Sequence, residues 1–245
     1  MALHKWKLIW QRAPGSSLDP QNADGPLPFT SAAFLALAYV RLHMDLGPYR
    51  RLDTRDPTQI AEALMQAPPP RRGPRLTTAL LHSTHALSIP IRMGVDYVAR
   101  SQVFFWSCQH SLCGLDTSIF LWKWLDVTHK SIATAPLTGQ YERFHNDVAL
   151  AEIPPLLVDE NRVVDWLRSL IIETHETVDL IMLGFRDADV HNWTLHQIGV
   201  AVLKIWARVL SANSLWPVIS KIGMSLDFVA AQFMASRTET SDICW

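Results

Sequence analysis

The 245-residue sequence predicts an all-α fold of roughly seven to nine helices with no significant sheet. Three observations carry this. Apolar residues recur at spacings of three and four, most cleanly in Val163, Leu167, Leu170, Ile171, Thr174, Val178, Ile181, Met182 and Phe185, the stripe of an amphipathic helix. No stretch sustains the period-two alternation of a half-buried strand. Capping and breaking residues punctuate the chain at helical lengths.

Residues 1–28 read as an N-terminal segment and connector, because 11–28 ("QRAPGSSLDPQNADGPLP") is dense in Pro, Gly, Ser, Asn and Asp. Residues 29–245 read as one helical domain. Its first helix is expected to be capped by Thr30 or Ser31, to carry a stripe of Phe34, Leu35, Ala38, Leu42 and Leu46, and to stop at Gly47-Pro48. "DPTQIAEALMQA" is a second helix, with Asp56 as cap and Pro57 in the first helical position. "PPPRRGP" (68–74) cannot be helical. Residues 75–88 form a third helix closed by Pro90. A fourth is expected to start near Gly94 and run through "FFWSCQHSLCGL" (104–115). Residues 131–160 read as a loop, and two more helices follow the striped one, at Leu195–Leu210 and from Pro217 to about Met234.

Composition narrows the function. Hydrophobic residues make up 49% and charged residues 18% of the chain, so enough apolar surface is available to order it. The formal net charge is −1, which argues against nucleic-acid binding through bulk charge. Three cysteines suit a reducing compartment better than a disulfide framework. No secretory signal is expected, since Lys5 and Lys7 interrupt the N-terminal run. The apolar runs "VDLIMLGF" and "IGVAVLKIW" are too short or too charged to span a bilayer.

"FFWSCQHSLCGL" packs Cys108, His110 and Cys113 into six positions, which raises the question of zinc. At about 100° per residue, Cys108 and His110 fall on different faces of a helix. Cys108 continues a stripe through Tyr97, Ser101, Phe104, Phe105, Leu112 and Leu115 and reads as core. His110 and Cys113 share another face, and two ligands do not make a zinc site. Val95, Val103, Trp106, His110 and Cys113 give that helix a second apolar side, expected at a subunit or partner interface or deep in the fold. His82 and His85 in "HSTH" are a candidate metal pair without a visible third ligand. "THETVD" fails as a zincin helix, Asp179 standing where the second histidine belongs. No phosphate-binding glycine loop or nucleophile elbow is present, so no residue is nominated as catalytic. Arg50, Arg51, Arg55, Arg71, Arg72 and Arg75 could form a basic rim facing DNA or an acidic partner, or could pair with acids such as Asp53 and Asp56.

The phrases "AYVRLHMDLGPYR", "ALLHSTHALSIPIRMGVDYVAR" and "FFWSCQHSLCGL…FLWKWL", within residues 27–125, resemble the regulatory region of fungal zinc-finger transcription factors. This is the middle homology, or xylanolytic-activator-type, domain, and the resemblance is nearest to members whose DNA-reading part is a pair of two-Cys two-His fingers. It implies an all-helical regulatory domain of a nuclear RNA polymerase II transcription factor, partnered by co-regulators or by a second copy of itself, with no enzymatic activity. Zinc and DNA contact are implied for the fingers. Three scattered cysteines cannot build a finger, so no cofactor is expected in this chain, which is either a segment of a longer product or a finger-less one. A second reading remains open from the residues alone. It is a helical ligand binder or enzyme with a pocket near His82, His85, His110 and the tryptophans.

Overall fold

A computed structural model describes residues 2–17, 27–101, 108–134, 158–177, 190–212 and 216–241, and among them every regular element is helical. The α-helices are α1 (Ala2–Gln11), α2 (Leu27–Arg41), α3 (Pro57–Gln66), α4 (Leu76–Met93), α5 (Val95–Ser101), α6 (Cys108–Thr134), α7 (Val158–Thr177), α8 (Leu195–Ser211) and α9 (Pro217–Ser241). Single 3-10 turns lie at Gly47–Tyr49, Leu52–Thr54 and Val190–Asn192.

Helix α6 is the axis of the fold. From His110 to Leu125 only Leu112 and Lys123 rise above full burial, and α2, α4, α8 and α9 all pack on it. A helix apolar on more than one side is stable only when enclosed in this way. Its closest neighbour is α8, and glycines set the approach. A Cβ on Gly114 of α6 would come within 2.8 Å of the Trp206 ring of α8, and one on Gly199 of α8 within 3.3 Å of Trp122 of α6. Each indole lies where the facing helix has no side chain. The pairing of 114 with 206 and of 122 with 199 runs the two helices antiparallel.

Helix α8 opens with a capping box. The Thr194 side chain accepts from the Gln197 N–H while the Gln197 side chain accepts from the Thr194 N–H at 2.8 Å. Helix α9 folds back on α8 so closely that a Cβ on Gly223 would meet the Ser211 backbone nitrogen at 2.4 Å. Pro217–Ala235 of α9 is long and apolar enough by composition to cross a membrane. Its buried face, with Ile219, Ile222, Leu226 and Val229, packs in the core of this fold. Helix α3 lies against α9, starts on the Asp56 carboxylate, which accepts from the Thr58 N–H, and has Pro57 in its first turn, as its sequence predicts. At its other end the α6 side chain Lys123 donates to the Met65 carbonyl at 2.6 Å.

Several expectations need correction. The N-terminal segment, to which the sequence assigns no element, is helical over Ala2–Gln11, with the Trp6 and Trp10 rings stacked at 6.2 Å. Helix α2 starts at Leu27, ahead of both expected caps, with Pro28 in the first turn, where its missing N–H costs nothing. It ends at Arg41, short of Gly47, and its buried face is Leu35, Ala36, Tyr39 and Val40, while Phe34 and Leu42 are exposed. Helix α4 passes through Pro90, because Leu87, Pro90 and Ile91 are buried against the core and outweigh one lost backbone hydrogen bond. Gly94, at φ +90°, ends it. The helix expected from Gly94 is described in two stretches, α5 and α6, with residues 102–107 outside the described residues, and Tyr97 of the proposed core stripe is exposed. The expected loop at 131–160 loses both ends to α6 and α7. The stripe of α7 is buried at Val163, Leu167, Leu170, Ile171 and Thr174, and its continuation from Val178 to Phe185 lies outside the described residues.

Candidate functional site

A chamber of about 400 Å³ lies where α1, α2, α4, α6, α7 and α8 converge. Its walls are built from stretches far apart in sequence. Helix α4 supplies His82, His85 and Ala86, and the first turns of α6 supply His110, Ser111, Cys113 and Gly114. Trp166 comes from α7, Trp206 and Leu210 from α8, small alanines (Ala32, Ala33, Ala36) from α2, and Lys7 and Trp10 from α1. The volume and the mixture of apolar walls with a few polar groups are those of a small-molecule site.

The local sequence explains the placement. His82 and His85 stand three residues apart on α4, so both reach the same side of that helix. The His82 ring stacks on Tyr39 of α2 at 5.2 Å and 14°, which ties α4 to α2 beside the chamber. Gly114 leaves room for Trp206, and that indole then walls the space from the α8 side. Alanines on α2 and α4 leave the volume unfilled.

The electrostatics are those of a nearly uncharged room. Burial pushes His82 and His110 each down to about 4, with Lys7 and then His85 adding to the effect at His82. His85 is lowered as well, first by burial and then by Arg92. The imidazoles are therefore neutral at pH 7, and each carries one donor and one acceptor nitrogen. Burial, followed by the nearby Asp116, pushes the Cys113 thiol up to about 12, so it is protonated and not an activated nucleophile. Among the described residues no carboxylate lines the chamber, and Lys7 is its one cationic side chain. Among the described residues the buried Ser111 hydroxyl and the Nε2 of His85 have no hydrogen-bond partner.

Beyond the chamber wall, Asp116 of α6 is buried and accepts from Arg50 through both carboxylate oxygens, Nε to Oδ1 at 3.0 Å and Nη2 to Oδ2. Arg41 stands 3.9 Å away. Burial raises the Asp116 carboxyl above its ordinary value, and the two guanidinium groups pull against that.

The six arginines considered either as a basic rim or as partners of nearby acids divide in consequence. Arg50 is no part of a rim, since its guanidinium is turned inward to Asp116. Arg51 pairs with Asp53 at 3.8 Å, and both Arg51 and Arg55 sit at positive φ around the Leu52–Thr54 turn. Arg71 joins the Pro-rich link to the end of α2, its N–H donating to the His43 carbonyl and its own carbonyl accepting from His43 Nδ1, both at 2.8 Å. Arg71 and Arg72 are exposed and Arg75 is half-buried. The second apolar side, read as an interface or as deep in the fold, is turned inward at the residues described. Val95 is in the core, and His110 and Cys113 face the chamber. Val103 and Trp106 lie outside the described residues. Cys108 is half-buried and packs against the core.

His82, His85 and His110 come together as the pocket reading requires, with Trp10, Trp166 and Trp206 around them. They do not form a metal centre: among the described residues no three His, Cys, Asp or Glu side chains are grouped to hold an ion. Sequence reasoning missed Lys7 and Trp10, whose signal was limited to the Trp6–Trp10 spacing of four, and it missed Gly114 as the seat of Trp206.

No curated protein and no solved structure matches the chain. The family model of the fungal transcription factor C-terminal domain matches residues 45–228, a span that contains α3 to α8 and the first half of α9. The chain belongs to the fungal transcription factor C-terminal domain family.

Proposed function

We propose that the chain is the regulatory domain of a fungal RNA polymerase II transcription factor, acting in the nucleus by contact with co-regulator proteins. The family match over residues 45–228 carries this reading. That family is a class of transcription-factor domain and not a known class of enzyme. The inward-turned Arg50 and the Arg51–Asp53 pair leave a basic rim incomplete, which supports assigning DNA contact to finger modules and regulation to these helices. Apolar side chains exposed on and beside α9, among them Trp216, Met224 and Phe228, supply surface for protein contact. Self-association is the other contact such a surface can make, and light scattering on the purified chain reads it directly.

The test is a reporter assay with the chain fused to an unrelated DNA-binding module in a fungal host. Reporter output should change several-fold, up or down, relative to the module alone. Unchanged output from a fusion that is nuclear and bound to its site sinks the proposal.

A further inference from the structure

The chamber among α1, α2, α4, α6, α7 and α8 has no role in the reading above, and its chemistry is specific enough to name a ligand class. We propose that it binds a small, flat, phenol-type molecule: an aromatic body carrying a hydroxyl group and no positive charge, with α1 as its cover.

Four observations converge on that class. The volume, about 400 Å³, falls in the range of pockets for drug-sized ligands. Three indoles, Trp10, Trp166 and Trp206, border it, and aromatic walls favour flat aromatic guests over compact aliphatic ones. The polar groups present are neutral ones. The Ser111 hydroxyl and His85 Nε2 are without partners among the described residues, and a guest hydroxyl, donor and acceptor at once, can pair with either. With no carboxylate among the described wall residues and Lys7 beside the space, a cationic guest finds no counter-charge there and one repulsive neighbour.

Helix α1 fits the role of cover. It contributes Lys7, Trp10 and Gln11 to the wall, yet none of its residues is fully buried. Its packing is against α2, with Leu3 alone reaching the core as a partly buried contact. An element held this lightly belongs to the low-stability end of a fold and can open and close on a guest.

The test uses the purified chain and two probes, 2-naphthol and naphthalene, in isothermal titration with near-ultraviolet circular dichroism as the check on packing. The expected result is one saturable site per chain for 2-naphthol. Its affinity should be about five-fold or more above that for naphthalene, the worth of one satisfied hydrogen bond at roughly 1 kcal/mol. Ala86→Trp and Ala33→Trp fill the chamber from α4 and α2, and each should lower 2-naphthol affinity at least ten-fold while the dichroism is retained. If one variant fails to fold, the other and the hydroxyl comparison decide. Absence of saturable binding up to the solubility limit overturns the proposal, as do equal affinities for the two probes or unaltered binding in a folded variant. Binding is read without any reporter, so its failure is independent of whether the domain regulates transcription.

Discussion

Replacing Arg50 with Met is the most informative single perturbation of the fold. In the parent, the Asp116 side chain is 1% exposed and that of Arg50 17% exposed. Removing the guanidinium strands a carboxylate that cannot reach water. Breaking a buried pair in this way typically costs about 3–5 kcal/mol. Two features of the structure set the value near the lower end. Arg41 remains, 3.9 Å away but half exposed, and Asp116 can take up a proton. Protonating a carboxyl of ordinary value near 3.9 costs about 4 kcal/mol at pH 7 and about 1.5 kcal/mol at pH 5, which caps the loss at each pH. The expected deficit is therefore about 3–4 kcal/mol at pH 7, a fall in Tm of roughly 6–16 °C for a chain of this size, shrinking to under about 2 kcal/mol at pH 5.

The sign follows from linkage. In the variant the folded chain binds a proton at Asp116 that the unfolded chain does not, so its stability relative to the parent rises as pH falls. The assay is urea unfolding followed by far-ultraviolet circular dichroism, parent and variant side by side at both pH values. A deficit below about 1 kcal/mol at pH 7, or one equal at the two pH values, would refute the internal ion pair.

Other outcomes follow from the same geometry. Gly223→Ala drives a methyl group into the Ser211 backbone and should cost at least about 3 kcal/mol, the upper end for overpacking; a parent-like urea midpoint contradicts the α8–α9 contact. Thr194→Ala removes half of the capping box and should cost about 1 kcal/mol, with Thr194→Ser restoring most of it. Lowering the pH should destabilise the chain through its buried histidines. With His110 held at about 4, the unfolded chain binds a proton between pH 6.5 and 4 that the folded chain refuses. His110 alone then accounts for about 2 kcal/mol lost between pH 8 and pH 5. A His110→Leu variant should show a shallower decline over that window, and an equally steep one counts against the burial of His110.

What the sequence made legible was local. The Asp56-Pro57 start of α3 and the span of α8 are set by residues within a few positions, and they stand in the structure as read. Errors arose where a distant contact decides. Pro90 reads locally as a stop, and the burial of Leu87 and Ile91 carries α4 past it. The rotation of α2 depends on α4 and α6, which no stripe within α2 encodes, and its apolar residues surround the helix closely enough to suit two registers. Arg50 reads as surface until its partner, 66 residues away, is known.

For the chamber, the histidine spacing at 82 and 85 was visible, and so was the suspicion that His110 and tryptophans join them. The α1 wall was not, because a helix with no buried residue leaves little apolar periodicity to detect.

The gathering of His82, His85 and His110 in one apolar chamber underlies the ligand proposal, and the titration of their imidazole resonances by NMR tests it most directly. Burial together holds His82 and His110 neutral, with midpoints of about 4, and lowers His85 as well. Midpoints near 6.5 for His82 and His110, the ordinary value for a solvated imidazole, would show that the chamber does not exist as described.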